Sequence, residues 1–186
     1  MTAPAESLTL DLGTAMRRRR MHRSFSPERV PRETLETLVW AAARGATARA
    51  GIRHLVVVDD PVLMATFRKV CPGFVNDAPA AIAICTDLHA AEQVGGRSGI
   101  EEVGRIDAGT AAAHLTLAAP ALGLGVCIVT SWTASAVRTV LGAPENIRPD
   151  VLVAVGYPAP TPSPAAKAPP RIVHHNVYGR PWEGTR

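Results

Sequence analysis

The chain has 186 residues, of which 47% are hydrophobic and 19% charged, and its formal net charge is +4 at pH 7. This length suffices for one large hydrophobic core and is short for two, so we expect a single domain over residues 1–186. The small positive excess argues against a nucleic-acid partner, because nucleic-acid-binding domains are usually far more basic.

Three cysteines, Cys71, Cys85 and Cys127, bear on the compartment and on metal binding. Their odd number argues against a disulfide framework, and their spacing is not that of a metal site. The histidines show no zinc-type spacing either. We therefore expect no metal centre, buried free thiols and a cytoplasmic location.

Hydrophobic periodicity and turn residues predict helices that alternate with short strands. The predicted helices span residues 12–21, 31–44, 61–70, 107–122 and 133–141, and the predicted strands span residues 54–58, 78–86, 126–129 and 151–156. The strand over 78–86 is apolar on both faces, which predicts a central position in its sheet. The segment 87–104 contains Gly95, Gly96, Gly99 and several charges, and we expect it to be a lid-like loop.

The helix predicted from Asp107 onward, with Asp107 as its cap, is the most apolar element of the chain. Its alanines and leucines recur at three- and four-residue spacing until Gly123 and Gly125 end the pattern. Small side chains let a second helix approach closely, so we expect this helix at a helix–helix or subunit interface. His114 and Pro120 interrupt the apolar run and large hydrophobic residues are few, so we expect no membrane span.

The stretch from residue 158 onward begins with four prolines at alternate positions. Proline cannot remain in a helix or in a sheet interior, so we expect an extended arm over residues 158–186. The aromatic end of the arm, with Tyr178 and Trp182, favours docking on a partner subunit.

A basic run, RRRRMHRSF, occupies residues 17–25. Such a run is commonly a solvated face or a nucleic-acid patch. Here Met16, Met21 and Phe25 flank the arginines, and a turn and a helix follow, which indicates that the run lies within the folded domain. Two adjacent guanidinium groups with a third nearby can surround a phosphate with fork-shaped donors.

With these elements in this order, the chain resembles the FMN-dependent nitroreductase family. The likeness covers residues 15–158 and rests on four segments: RRMHRSF followed by VPRETL (19–25 and 30–35), HLVVV (54–58), IDAG through LGLG (106–125), and LVAVGYP (152–158). The third segment is the most specific of the four. The resemblance implies an α+β fold with a mixed, largely antiparallel sheet flanked by helices. It also implies an intertwined homodimer with two FMN molecules at the subunit interface.

The resemblance assigns cofactor-binding roles to the basic run. It implies that Arg19 and Arg20 hold the FMN phosphate and that Arg23 lies near the pyrimidine edge of the flavin ring. Met21 stands where the family usually has serine, which removes one hydroxyl contact. A basic residue of the arm, Lys167 or else Arg171, is expected to reach the same phosphate.

Three further positions are candidates by the same resemblance. Thr130 and Ser131 fall where the family places small residues over the flavin, with a backbone N–H near N5. The same residues can also form an ordinary turn into the next helix, with Ser131 or Thr133 as its N-cap, and the two interpretations can hold together. The loop over 46–53 departs from the family pattern, because Arg49 stands in place of an asparagine. Arg49 is therefore expected on the substrate side, where it could bind an anionic substrate or replace the missing polar contact. His22 is a further candidate for that side because it lies within the basic run.

The activity that the resemblance implies is oxidoreduction through flavin N5, from NAD(P)H to a nitroaromatic, a quinone or a similar small-molecule acceptor. Flavin chemistry of this kind needs little help from a catalytic acid or base. Two alternatives remain open on the sequence: an FMN-dependent oxidase or dehydrogenase of a biosynthetic or peptide-like metabolite, and a flavin-sequestering protein without turnover.

Overall fold

The computed structural model describes residues 8–74, 77–160 and 172–182. Within these ranges the helices are α1 (Leu12–Arg18), α2 (Arg32–Ala43), α3 (Pro61–Val70), α4 (Leu88–Ser98), α5 (Gly104–Ala118) and α6 (Ala134–Val140). The strands are β1 (Arg53–Val58), β2 (Ala80–Asp87), β3 (Gly125–Val129) and β4 (Ile147–Gly156). Each predicted helix and strand is present, with ends shifted by a few residues.

The strands form one antiparallel sheet in the order β1-β2-β4-β3. The register pairs Arg53 with Thr86, Ala80 with Val155, and Gly125 with Gly156. β2 is central, as its two apolar faces predict, and nearly all of its residues are buried. The predicted α+β class with an antiparallel sheet flanked by helices is confirmed.

Two hydrophobic clusters cover the two faces of the sheet. On one face α2 and α5 pack against β2 and β4, with a cluster that includes Leu35, Leu38, Leu115, Ile82, Ile84, Val153 and Val155. On the other face α3 and α6 pack, with a cluster that includes Met64, Phe67, Val137, Ala81, Ala83, Leu152 and Ala154. Neighbouring residues of β2 alternate between the clusters because successive side chains of a strand point to opposite faces.

The helix expected from Asp107 is present, but its start was predicted wrongly. α5 begins at Gly104 and is preceded by a π-helical turn over Gly99–Val103, so Asp107 lies inside the helix and is buried. Its carboxylate accepts hydrogen bonds from the Thr47 hydroxyl at 2.7 Å and from the Ala48 amide at 3.0 Å. Asp107 therefore caps a distant loop and not its own helix.

The segment 87–104, predicted as a lid-like loop, is helical instead. Asp87 starts α4, because its side chain accepts hydrogen bonds from the amides of His89 and Ala90 at 2.9 and 3.2 Å. The glycines that suggested a loop mark a kink: Gly96 has a φ of 56°, a conformation that glycine adopts at no steric cost. The chain resumes as a helix after this break and continues into α5.

Two parts of the arm are described, residues 158–160 and 172–182. Pro158 forms an isolated bridge with Phe25, and residues 172–182 form a small turn closed by an isolated bridge between His174 and Pro181. The Trp182 amide donates to the Val173 carbonyl at 3.0 Å, and Tyr178 is 93% exposed. Lys167 and Arg171 lie outside the described residues, so their expected roles remain predictions.

The three cysteines are free and buried, as expected. Burial raises the pKa of Cys71 to about 11 and, with the nearby Asp150 charge, that of Cys85 to about 12. Both are therefore poor nucleophiles at neutral pH, because the reactive species is the thiolate. Among the described helices, none is long and apolar enough to cross a membrane.

Candidate active site

The basic run lies against the free edge of the sheet, next to β3. Met21 forms a parallel bridge with Val126, and the His22 amide donates to the Val126 carbonyl at 2.9 Å. Phe25 is buried, and its amide donates to the Asp77 carboxylate at 3.1 Å. The run is thus held at its middle and at its C-terminal end, and α1 stops at Arg18, earlier than predicted, so that the chain can reach the sheet edge.

Two close approaches to glycine fix the run on the sheet. A Cβ added at Gly125 would come within 2.7 Å of the His22 ring, and one added at Gly156 would lie 3.0 Å from the Phe25 ring. Real Cβ atoms essentially never approach other atoms as closely as the first of these distances. The two glycines are Cα partners across β3 and β4. Any side chain at Gly125 would therefore push His22 away from the strand.

The guanidinium groups of the run differ in their hydrogen-bond partners. Arg19 and Arg23 are exposed, and within the described part of the chain neither side chain has a hydrogen-bond or ion-pair partner. Arg20, by contrast, donates through one terminal nitrogen to the carbonyls of Arg17 at 2.7 Å and Arg19 at 3.1 Å. Arg23 lies close enough to β3 for its charge to offset part of the rise that burial causes in the pKa of Cys127.

Thr130 and Ser131 directly follow the C-terminal end of β3 and are exposed. The Ser131 carbonyl accepts from the Gly73 amide at 2.9 Å, which anchors the turn after β3 to the end of α3. The cap position of α6 is Thr133, but its side chain makes no capping hydrogen bond. The basic run therefore contacts the start of β3, and the 130–131 turn lies at the other end of the same strand.

Arg49 lies elsewhere in the chain. It is exposed on the loop before β1, at the opposite edge of the sheet from β3. Three strand spacings separate these edges, which corresponds to about 14 Å. Within one chain, therefore, Arg49 is not brought together with Arg23 or Thr130.

The loop that carries Arg49 is tightly organised by two residues whose roles the sequence pattern did not reveal. Arg53 donates four hydrogen bonds of 2.9–3.2 Å to the carbonyls of Ala43, Gly45, Ala46 and Asp107. Asp107 holds the other side of the loop through Thr47 and Ala48. An isolated arginine at a strand start carries no signal for such a role, and Asp107 looked like a helix cap.

Removing the Asp107 carboxylate is expected to destabilise the protein. Asp107→Ala leaves the Thr47 hydroxyl and the Ala48 amide without their acceptor, and we expect the free energy of unfolding to fall by about 2–3 kcal/mol. Urea denaturation followed by circular dichroism measures this change.

The matched control is Asp59→Ala, because Asp59 is exposed and its side chain has no hydrogen-bond partner within the described residues. We expect a change below about 0.5 kcal/mol for this variant. Equal stability losses for the two variants would contradict the anchoring role of Asp107.

Comparison with known proteins shows the family of this chain. The model of the nitroreductase family matches residues 16–71 and 49–157, which together cover the basic run, the sheet and the 130–131 turn. The chain belongs to the nitroreductase family. The family predicted from the sequence motifs is thereby confirmed.

Two curated relatives align with most of this nitroreductase-family chain. It is 27% identical over 179 residues to a Methanothermobacter thermautotrophicus protein with the provisional name NADH dehydrogenase/NAD(P)H nitroreductase, covering 89% of this chain and 86% of that one. It is also 27% identical over 173 residues to the FMN reductase (NADPH) of Bacillus subtilis, covering 84% of this chain and 70% of the relative.

Among solved structures, the nitroreductase-family chain superposes on the NfrA1 nitroreductase of Bacillus subtilis with a TM-score of 0.75 and 25% identity. The superposition covers 90% of this chain and 75% of that protein. Most of the described fold therefore recurs in a solved nitroreductase.

Proposed function

We propose that this chain is an FMN-dependent oxidoreductase that passes electrons from NAD(P)H to a small organic acceptor such as a nitroaromatic or a quinone. Family membership supports the reaction class, and a relative named FMN reductase (NADPH) supports both the cofactor and the donor. The observation that carries the proposal is the pair of exposed guanidinium groups of Arg19 and Arg23 in the run beside β3, which have no partner among the described residues.

The residues at this edge fit FMN chemically. A phosphate monoester and an anionic reduced ring both need cationic donors, and guanidinium groups without a protein partner can supply them. FMN, when bound, supplies the hydride and electron transfer itself. The chain's part is to hold the phosphate with Arg19 and Arg20, to place Arg23 at the pyrimidine edge, and to offer a backbone N–H from the Thr130–Ser131 turn. Lys167 or Arg171 would add a further cation to the phosphate.

We further propose a homodimer. α1 and α5 expose large apolar side chains: Leu12 and Met16 of α1 are 62% and 55% exposed, and Ile106 of α5 is 64% exposed. Between α1, α2 and α5 lies a mainly apolar groove of about 340 Å³ whose lining includes Trp40 and Leu117. A second copy of the chain would cover this surface, and contiguous apolar patches commonly mark such interfaces.

A dimer would also give Arg49 a role. Because Arg49 lies at the sheet edge remote from β3, it can serve a flavin only if that flavin is held by the partner subunit. The loop is held rigid by Arg53 and Asp107, which limits the entropy lost when Arg49 meets a ligand. We propose that Arg49 favours acceptors that carry a negative charge.

We also propose that the protein is located in the cytoplasm. All three cysteines are free and buried, which is typical of proteins kept in a reducing compartment. NAD(P)H is also available there as the electron donor.

The decisive experiment is the visible spectrum of the purified protein, followed by anaerobic addition of NADH and then of NADPH. We expect flavin absorbance that bleaches with at least one donor. A colourless protein that cannot be reconstituted with FMN would overturn the proposal, and flavin that stays oxidised with both donors would overturn its NAD(P)H-dependent part.

A further inference from the structure

The turn after β3, residues 130–133, lacks the local hydrogen bonds that usually fix a turn into a helix. Thr133 is the cap position of α6, but its side chain makes no capping hydrogen bond. Thr130 and Ser131 are exposed, and their side chains have no hydrogen-bond partner in the described part of the chain. The position of the turn therefore depends on contacts with another segment.

Those contacts come from the end of α3 and the residues that follow it. The Gly73 amide donates to the Ser131 carbonyl at 2.9 Å, and the Thr133 amide donates to the Val70 carbonyl at 3.4 Å. Both hydrogen bonds join backbone groups, so they fix the course of the chain at the turn. The segment after α3 thus holds the turn in place.

This segment is itself firmly packed. Cys71 and Phe74 are 0% and 3% exposed and belong to the hydrophobic cluster that also contains Val129 and Val137. The Phe74 amide donates to the Cys71 carbonyl at 2.8 Å, which closes a tight turn. A close-packed interior does not yield easily when an atom is added beside it. If the contact becomes crowded, we therefore expect the exposed Ser131 to move and the segment after α3 to stay.

Gly73 approaches Ser131 so closely that little room is left for a side chain. A Cβ added at Gly73 would lie 3.0 Å from the Ser131 Cβ and 3.1 Å from both the nitrogen and the carbonyl oxygen of Ser131. Contacts of this length are tighter than nine in ten real ones, so Ser131 would have to move by a few tenths of an ångström. Gly73 does not have a positive φ, so the space and not the backbone conformation requires glycine here.

The contact bears on the Ser131 N–H, which has no hydrogen-bond acceptor among the described residues. We propose that Gly73 is a positioning residue for FMN: the room it leaves lets this N–H donate to N5 of the oxidised flavin ring. The inference rests on the proposed function. N5 of the oxidised ring has a lone pair that accepts a hydrogen bond, whereas N5 of the reduced ring carries a hydrogen of its own. Gly73 therefore acts on the difference in affinity between the two forms of the cofactor.

Gly73→Ala tests this role in the FMN-loaded protein. Because the hydrogen bond is made only with the oxidised ring, we expect the affinity for oxidised FMN to fall about three- to tenfold and the affinity for reduced FMN to stay within about twofold of wild type. The flavin midpoint potential then becomes more positive, by about 30 mV for a tenfold change in a two-electron couple. Anaerobic spectroelectrochemical titration measures the potential, and flavin fluorescence measures the affinity for oxidised FMN.

Gly95→Ala is the matched control, because an added Cβ there meets nothing within 4 Å and the φ of Gly95 is −148°. It makes the same chemical change on another element and should keep the wild-type potential. A second measurement needs no variant. In nuclear magnetic resonance of the wild type, the Ser131 amide resonance should shift when oxidised FMN binds and shift again on reduction. A Ser131 amide that responds to neither step would overturn the inference, including where Gly73→Ala does not fold.

The outcomes separate this inference from the proposed function. A wild-type protein that binds no FMN would overturn both. A wild-type protein that binds FMN and bleaches with NAD(P)H, together with a Gly73→Ala variant of unchanged potential, would overturn the inference and leave the proposed function standing. Equal losses of affinity for oxidised and reduced FMN would show that Gly73 only maintains the structure, and would overturn the inference as well.

Discussion

Arg23→Ala is expected to weaken FMN binding by about 10- to 100-fold, which is the loss of one charge-assisted hydrogen bond worth roughly 1.5–3 kcal/mol. Arg23 is exposed beside β3 and has no partner among the described residues, so its removal leaves no buried group unsatisfied. The effect should thus appear in cofactor affinity and not in folding. Quenching of flavin fluorescence on binding measures the dissociation constant.

The same variant should reduce more slowly with NAD(P)H, because a cation at the pyrimidine edge stabilises the anionic reduced ring. Arg23→Lys retains the charge and should keep much of both properties. Arg29→Ala is the matched control, since Arg29 is an exposed arginine six positions further on. Unchanged affinity and unchanged reduction in Arg23→Ala would remove Arg23 from the proposed site.

Asp150→Ala is expected to lower the free energy of unfolding by about 3 kcal/mol, because it breaks a largely buried ion pair from one side. The Asp150 side chain is 5% exposed; it pairs with Arg148 at 2.7 Å and accepts from the Thr86 hydroxyl. Arg148 also donates to the Ile100 carbonyl at 2.8 Å, and another of its nitrogens is already buried with no hydrogen-bond partner within the described ranges. Removing the carboxylate would leave this guanidinium group uncompensated.

The control for this change is an exposed pair in the same protein. Glu36→Ala breaks the ion pair between Arg32 and Glu36, whose side chains are 88% and 50% exposed. Exposed pairs of this kind are worth about 0.3–0.5 kcal/mol, so the variant should unfold almost as the wild type does. Urea denaturation of both variants measures the two changes in the free energy of unfolding. Similar losses would contradict the prediction that the buried Asp150 pair stabilises the protein more than the exposed pair does.

Much of the fold could be predicted because its signals are local. Alternating and helical periodicities set β2, α2 and α5 along the chain, and Asp60 followed by Pro61 marks the start of α3 through a cap that accepts from two amides at 2.9 Å. The basic run was recognisable because arginines and flanking apolar residues stand together in sequence.

What could not be predicted depends on contacts between distant residues. Asp107 caps a loop some sixty residues earlier, a pairing that no spacing rule reveals. The glycines at 95 and 96 suggested a loop. The Asp87 cap instead starts a helix before them, and the chain is helical on both sides of a single kink at these glycines. Arg53 turned out to hold the Arg49 loop because four carbonyls converge on it only after folding.

The way the basic run is attached has a consequence for how the site can change. Its anchors are His22 and Phe25, which rest over Gly125 and Gly156, while Arg19 and Arg23 are exposed and have no partner in the part of the chain that the structure describes. The side chains that attach the run are thus different from the arginines that we propose for ligand contact. On that proposal, natural variation or protein engineering can alter the exposed arginines, and with them cofactor or charge preference, without moving the backbone that presents them.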